Sequence, residues 1–456
     1  MPADSYDMVI VGGGTAGSFA AATAAGEGLD VVILERKSPE EAGHIACGDA
    51  VKGKSTFPEV IDLEYLREES FTNENIQYAR FLNPKTEENL DVRLDDPGAV
   101  LDRKRYGEIL LEEAERAGAV VHFDTVVQDV IQDGEQVRGV TATRKGSPKR
   151  YEADIVIDAA GSLSLLQDKA DFSDATFDTN VSYSQFCSAY REIIEVDEPV
   201  DYADAIVFKP TAELGYLWYF PRTPTEINVG LGFQMNKPPM KLVEVLKNDV
   251  KSRPELKNGR VKDKLGAALP TRRPYDSATA PGYMAVGDAA GHVNPTTGGG
   301  IPGAAKAGYW AAKAGMKALA EGTTSDEGAL WEYNHKVQTD FGKRFAAMDL
   351  YNIWGGAHDV DELVDVVSAM PGQQLGDALS KGNASMPLSL KLKTVIRTFG
   401  HWDTLYELAK VNKLAGRLKD VYDQYPTTPD GFEAWRDRRD GVMDDLYEIT
   451  GAAPKY

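Results

Sequence analysis

The chain has 456 residues, of which 42% are hydrophobic, and it carries 50 basic and 71 acidic side chains for a formal net charge of −21. This length and composition indicate a folded protein of about three structural units and exclude a disordered chain. A negative charge of this size is the opposite of what neutralising nucleic-acid phosphates requires, so we expect no nucleic-acid partner. The acidic excess fits either ordinary solubility or a salt-rich cell interior.

The cysteine content and the apolar runs predict where the protein resides. Two cysteines, Cys47 and Cys187, are too few for a disulfide framework and are typical of a reducing compartment. The first residues show no basic segment followed by an apolar one, and no run of about 18 apolar residues occurs. We therefore expect a cytoplasmic protein that does not span a membrane.

The first forty residues predict a dinucleotide site. An apolar strand at 7–11, a small-residue helix at 15–28 and a second strand at 30–35 form a βαβ unit with parallel strands. The turn matches G-x-G-x-x-G, in which Gly12, Gly14 and Gly17 allow a tight turn, close approach to a pyrophosphate and packing of helix on strand. Glu35 ends the second strand, where a carboxylate can accept a hydrogen bond from a ribose hydroxyl.

The remaining elements predict a mixed architecture. Strand-like runs at 77–82 and 90–94 flank a turn-forming Asn-Pro sequence, and a helix at 105–117 precedes strands at 119–123, 137–144 and 154–158. From 172 to 268 polar and aromatic residues alternate, which indicates an antiparallel sheet with one covered face. A strand at 282–287 and an Ala/Gly-rich helix at 301–319 return to the parallel pattern, and helices follow.

We therefore predict an α/β fold with a discontinuous Rossmann-like dinucleotide-binding domain. Its two parts are residues 1–165 and 270–325. An antiparallel-sheet substrate domain occupies 166–269, and a C-terminal helical region occupies 326–456.

Three further features indicate which dinucleotide binds. Asp288 ends a strand, and its carboxylate can accept hydrogen bonds from a ribitol chain, which NAD lacks. A helix beginning near Ile301 directs its N-terminal amides at a ring that becomes anionic when reduced. Together with Arg103 and the Asp158–Gly161 element, these features resemble the FAD site of the p-hydroxybenzoate-hydroxylase-like flavoproteins.

Two motifs narrow the resemblance. The segment Ala46-Cys47-Gly48-Asp49 and the Tyr-x-Trp-x-Phe-Pro element at 216–221 resemble the archaeal branch of the geranylgeranyl reductase family, over roughly residues 5–325. That branch saturates the isoprenoid chains of digeranylgeranylglycerophospholipids with FAD, so the resemblance implies a prenylated phospholipid substrate. We expect the protein to be either soluble or attached peripherally to the inner face of the membrane. It also implies FAD contacts at Ala16, Glu35, Ala46, Cys47, Gly48, Asp49, Arg103, Val127, Asp288, Gly300 and Ile301.

The candidate catalytic residues are Cys47, Tyr216 and Trp218. The thiol of Cys47 is either a gating, hydrogen-bonding or proton-donating group beside the flavin or a small buried hydrophobe. Tyr216, Trp218 and Phe220 share one strand face at period two, which fits either an apolar substrate slot or core packing. The proton donor stays open among Cys47, Tyr216 and ordered water, and no metal site is predicted, because the histidines and Cys187 lack ligand spacing.

The sequence leaves the electron donor and the head-group contact open. Because a second G-x-G-x-x-G unit is missing, the donor is either NADPH docking transiently or a ferredoxin-like protein. Basic groups for an anionic head group or a membrane surface are Arg272 and Arg273, or Lys391, Lys393 and Arg397, with a solvated charge cluster as the alternative.

Two other functions compete with the reductase. A flavin monooxygenase or halogenase on the same fold is one, although a halogenase favours Trp-x-Trp-x-Ile-Pro and this chain has Tyr216 and Phe220 at the corresponding places. A flavin- and lipid-binding protein without turnover is the other.

Overall fold

A computed structural model describes residues 3–52, 55–235, 238–368 and 402–456, which form two eight-stranded sheets with helices packed around them. The strands are β1 (Asp4–Val11), β2 (Val31–Leu34), β3 (Ala50–Val51), β4 (Phe71–Leu82), β5 (Asn89–Leu101), β6 (Val120–His122), β7 (Thr125–Asp133), β8 (Gln136–Arg144), β9 (Ser147–Asp158), β10 (Phe186–Glu195), β11 (Ala205–Thr211), β12 (Gly215–Thr223), β13 (Glu226–Gln234), β14 (Arg260–Pro270), β15 (Thr279–Ala280) and β16 (Tyr283–Ala285). The helices are α1 (Thr15–Gly26), α2 (Leu63–Ser70), α3 (Arg103–Arg116), α4 (Leu165–Lys169), α5 (Pro239–Ser252), α6 (Ile301–Glu321), α7 (Glu327–Val337), α8 (Lys343–Gly356), α9 (Val360–Ser368), α10 (Trp402–Asp423) and α11 (Phe432–Thr450).

The first sheet is parallel at its centre. Strands β16, β9, β1, β2 and β6 lie side by side in that order and in parallel, and β8 adds antiparallel to the first half of β9. Residues 8–11 and 31–34 are buried and apolar, as expected for parallel strands with covered faces. Strand β16 follows the strands of the second sheet in the chain, so two separate segments of the chain form the first sheet. This arrangement confirms the predicted α/β fold.

The second sheet has the order β14-β10-β13-β12-β11-β4-β5-β3, and the pairing of β11 with β4 is parallel whereas the other pairings are antiparallel. Leu217, Tyr219 and Val229 on one face form a core with Leu242 and Leu246 of helix α5. The β4–β5 hairpin joins this sheet although it falls within 1–165. We propose that it acts with the domain at 166–269.

The helices after α6 build a separate core. Trp331 of α7, Trp354 of α8, Tyr422 of α10 and Trp435 of α11 are buried in it. Within the described ranges, no helix combines the length and the apolar character needed to cross a membrane. The predicted basic group of Lys391, Lys393 and Arg397 lies outside the described residues.

Candidate active site

A cavity of about 2060 Å³ is lined by residues of both sheets. The predicted cofactor residues line it with one exception, Gly17. Those that line it are Gly12, Gly14, Ala16, Glu35, Ala46, Cys47, Gly48, Asp49, Arg103, Val127, Asp288, Gly300 and Ile301, and the candidate catalytic residues Tyr216 and Trp218 line it as well.

The glycine turn between β1 and α1 forms one end of the cavity. Gly12 has a positive φ of 101°, and a Cβ at Gly17 would lie 2.0 Å from the carbonyl oxygen of Gly12. Gly17 therefore packs the helix onto the turn and has no cavity contact of its own. Glu35 supports the same turn, because its Oε2 accepts a hydrogen bond from the amide of Gly13 at 2.9 Å.

The polar groups at this end fit FAD. Arg103 is only 5% exposed, donates to Thr15 Oγ1 at 3.2 Å, and its Nη1 has no hydrogen-bond partner in the described part of the chain. Gly14 and Gly300 cap helices α1 and α6 without a side-chain hydrogen bond, so N-terminal amides of both helices stay available to an anionic ligand. A buried cation, two uncapped helix N-termini and the carboxylate of Asp288 suit a pyrophosphate and a ribityl chain.

A buried histidine holds the turn that carries Asp288. His292 Nδ1 accepts a hydrogen bond from the amide of Gly287 at 3.1 Å, and Gly287 has a positive φ of 63°. Burial lowers the pKa of His292 to about 3, so the imidazole stays neutral and can accept. Burial raises the pKa of Asp288, which receives a long hydrogen bond of 3.4 Å from Ser162.

An aromatic slot forms the wall that β12 contributes. Tyr216, Trp218 and Phe220 lie on one face of β12, with neighbouring ring centroids 6.2 Å apart, while Leu217 and Tyr219 point into the core behind the sheet. The predicted shared face is therefore confirmed. Phe208 and Phe81 continue the slot, with ring centroids 5.5 Å apart.

The slot contacts two segments that are predicted to bind the cofactor, the Ala46–Asp49 turn and the loop before α6. A Cβ at Gly48 would lie 3.0 Å from Cε2 of Phe220, so the glycine lets the Ala46–Asp49 turn lie directly against the slot. Tyr216 donates from its hydroxyl to the carbonyl oxygen of Thr297 at 2.8 Å, in the loop that leads into α6.

A buried polar network fixes the turn that carries Cys47. Asp49 is fully buried with a positive φ of 67°, and its Oδ2 accepts hydrogen bonds from Arg222 and, at 2.6 Å, from Asn228. Asn228 also donates to the carbonyl oxygen of Cys47 at 2.8 Å and accepts from Trp218 Nε1 at 2.9 Å. These hydrogen bonds hold the Ala46–Asp49 turn, strand β12 and strand β13 in a fixed arrangement.

The thiol of Cys47 is protonated at neutral pH. Burial among the cavity walls and the nearby carboxylate of Asp49 raise its pKa, and this outweighs the lowering by Arg103 and Arg191. The Asp49 amide donates to Sγ at 3.2 Å, which leaves the thiol hydrogen free to point elsewhere. Burial also raises the pKa of Tyr216. Among the described residues, no group of three or more His, Cys, Asp or Glu side chains could hold a metal ion.

Comparison with known proteins identifies the family. Residues 7–212 match the model of FAD dependent oxidoreductases, and residues 185–268 match that of the geranylgeranyl reductase catalytic domain. A digeranylgeranylglycerophospholipid reductase of Methanothrix thermoacetophila is 31% identical over 75% of this chain and 85% of its own length. The chain belongs to the digeranylgeranylglycerophospholipid reductase family.

Two further comparisons cover more of the chain. The digeranylgeranylglycerophospholipid reductase of Sulfolobus acidocaldarius is 28% identical over 96% of this chain and 97% of its own length. A geranylgeranyl bacteriochlorophyll reductase-like protein from Thermoplasma acidophilum superposes with a TM-score of 0.75 at 24% identity, covering 90% of this chain and 100% of that one, and shows the same fold.

Three polar residues of the candidate site were not predicted from the sequence. Arg222 and Asn228 form the network around Asp49, and Arg191 lines the cavity while it pairs with Asp263. Arg222 shares the strand face of Tyr216, Trp218 and Phe220 at period two, so a charge on that face was a usable signal.

Arg272 and Arg273 are not available to a head group, and the expectation for them is wrong. Arg272 is fully buried and pairs with Asp178 at 2.7 Å. Arg273 is 3% exposed, pairs with Asp276 at 3.3 Å and stacks on the ring of Tyr456. Both are excluded from solvent, which also rules out the solvated-cluster alternative for this pair.

Proposed function

We propose that this protein is an FAD-dependent reductase that saturates C=C bonds in the geranylgeranyl chains of archaeal glycerophospholipid precursors. The observation that carries the proposal is that one cavity contains both a set of groups fitting FAD and an aromatic slot, with the Ala46–Asp49 turn against both. Membership of the reductase family supports the same substrate class.

In this proposal the slot places a prenyl chain beside the cofactor. FAD held by the predicted cofactor residues would, once reduced, supply a hydride from its N5 position for one carbon of the alkene. Tyr216, Trp218 and Phe220 hold the chain by apolar contact, worth about 0.8 kcal/mol for each buried methylene, and exclude water from the reacting carbons. Because an isolated alkene is a poor electrophile, this placement supplies much of the catalysis.

We propose Cys47 as the proton donor to the second alkene carbon. Its thiol is protonated, lines the cavity and keeps its hydrogen free because the Asp49 amide donates to Sγ. The hydroxyl of Tyr216 is occupied by Thr297, which suits a positioning role for this residue. Trp218 donates to Asn228 and acts as a wall of the slot.

We propose two external partners, an electron donor and the membrane surface. Electrons come from NADPH docking transiently or from a ferredoxin-like protein that delivers them singly. The lipid reaches the slot while the protein contacts the inner face of the membrane peripherally.

The test is anaerobic turnover. FAD-loaded protein is reduced with dithionite, incubated with a digeranylgeranylglycerophospholipid and analysed by mass spectrometry of the lipid. We expect a gain of two hydrogens per double bond reduced, and no gain with a fully saturated lipid. An unchanged unsaturated lipid, with modification only after oxygen and halide are admitted, would favour the halogenase and overturn the proposal.

A further inference from the structure

Lys52, Lys343, Arg344 and Lys419 are four of the cationic side chains that line the cavity. Lys52 and Arg344 are also exposed to solvent, so the part of the cavity that they line is open to solvent. None of the four belongs to the residues that fit the cofactor.

Three elements bring these cations together. Lys343 and Arg344 begin α8, and α8 packs along α10, which carries Lys419. Lys52 directly follows β3 and is five residues from Cys47, so its Cα lies within about 18 Å of the proposed proton donor.

Arg344 repels Lys52 and Lys419, and Lys343 repels Lys419. Partial burial lowers the pKa of Lys52, Arg344 and Lys419, and the charge of Arg344 lowers the pKa of Lys52 and of Lys419 further. The charge of Lys343 also lowers the pKa of Lys419. Like charges that are close and partly desolvated are unfavourable unless an anion lies between them.

Carboxylates offset part of the charge of Lys343 and Arg344. Asp423 pairs with Lys343 at 2.6 Å, and Asp340 pairs with Lys306 at 3.1 Å and favours the charged form of Arg344. Within the described ranges, neither Lys52 nor Arg344 has a carboxylate at ion-pair distance.

We propose that Lys52, Lys343, Arg344 and Lys419 form a subsite for the phosphate group of the lipid substrate. The inference rests on the proposed function and deepens it. Cations at the opening and aromatic rings deeper in the cavity match an amphiphile whose head group stays near water while its chains enter the slot.

The test compares a phosphorylated lipid with its neutral counterpart. KM is measured for digeranylgeranylglyceryl phosphate and for digeranylgeranylglycerol with wild-type holoenzyme, the double variant K52Q/R344Q and the control K313Q/R417Q. The control removes the same charge at exposed residues that pair with Glu27 and Asp445 away from the cavity. Melting temperatures of all three verify folding.

We expect the double variant to raise the ratio of the phosphorylated to the neutral KM by about tenfold or more, and the control to leave this ratio unchanged. High salt should raise the same ratio for wild type. A ratio that is the same in the double variant and in wild type would overturn the subsite.

A second readout separates the subsite from the reductase activity. Binding of glycerol phosphate and of inorganic phosphate is measured by calorimetry. If wild type reduces neither lipid, the proposed function fails, and the anion subsite then stands only if glycerol phosphate binds and K52Q/R344Q abolishes binding. Inorganic phosphate could also bind while the ratio of the phosphorylated to the neutral KM is the same in wild type and in K52Q/R344Q. That result would assign the cations to free phosphate and contradict the lipid assignment.

Discussion

Arg222 donates two hydrogen bonds, at 2.8 and 2.6 Å, to a single carboxylate oxygen of Asp49. Arg222 follows Phe220 by two residues on the slot face, and Asp49 lies two residues after Cys47. This buried pair therefore ties the Ala46–Asp49 turn to the strand that carries the aromatic slot. The other oxygen of Asp49 has no hydrogen-bond partner in the described part of the chain, so the carboxylate depends heavily on Arg222.

Replacing Arg222 by Met should destabilise the protein strongly. Removing one partner of a buried pair leaves an uncompensated charge, and the expected loss in the free energy of unfolding is about 3–5 kcal/mol. Urea unfolding measures it. The matched control is Arg67→Met, which breaks the exposed pair with Glu74 and should cost at most about 1 kcal/mol. Equal losses in both variants would contradict the network.

Replacing Cys47 by Ala should slow reduction of the lipid while FAD is retained. Loss of a general acid typically costs about 10²-fold or more in rate. Single-turnover reoxidation of the reduced flavin by lipid measures the change, and Cys47→Ser should recover part of the rate because a hydroxyl can donate. Cys187→Ala, which removes the other cysteine of the chain, is the control for the loss of a thiol. A Cys47→Ala rate equal to that of wild type would remove this thiol from the mechanism.

Replacing Asp288 by Ala should weaken FAD binding about tenfold to a hundredfold, because a carboxylate that accepts ligand hydrogen bonds is lost. Fluorescence titration of the apoprotein with FAD gives the Kd. Asp420→Ala, on the exposed side of α10, removes a carboxylate outside the cavity and should leave Kd unchanged. A fully flavinated Asp288→Ala protein with wild-type Kd would refute this assignment.

The pair of Asp263 with Arg191 predicts a pH-dependent contribution to stability. Burial alone would raise the pKa of Asp263, but hydrogen bonds from His44 and Arg191 outweigh it and hold the pKa at about 2. Because the unfolded value is about 3.9, the stabilisation is present above that pH and is lost as pH falls through about 2. The difference in unfolding free energy between wild type and Asp263→Asn should thus be smaller at pH 3 than at pH 5. A difference that is constant or larger at pH 3 would contradict this.

The parallel sheet can be predicted from sequence because local chemistry determines it. Apolar runs that end at Gly12 and at Glu35 define covered strands, and the glycine spacing defines the turn between strand and helix. Strand β14 gives a weaker signal, since it is an edge strand whose first half is mostly charged and exposed.

The network around Cys47 could not be predicted in the same way. Arg222 and Asp49 are 173 residues apart, and their contact depends on the register of β12 and on the positive φ of Asp49. The prediction for Arg272 and Arg273 failed for a similar reason. Two adjacent arginines are typical of an exposed surface, but Asp178, Asp276 and Tyr456 enclose these side chains.

An anaerobic titration tests whether the reduced flavin of this protein reduces the double bonds of the lipid. Purified holoenzyme is reduced, excess reductant is removed, and geranylgeranylated glycerophospholipid is added while flavin absorbance and lipid mass are followed together. We expect one reoxidised flavin for each double bond lost. Flavin that stays reduced until oxygen enters, with lipid mass unchanged, would contradict it.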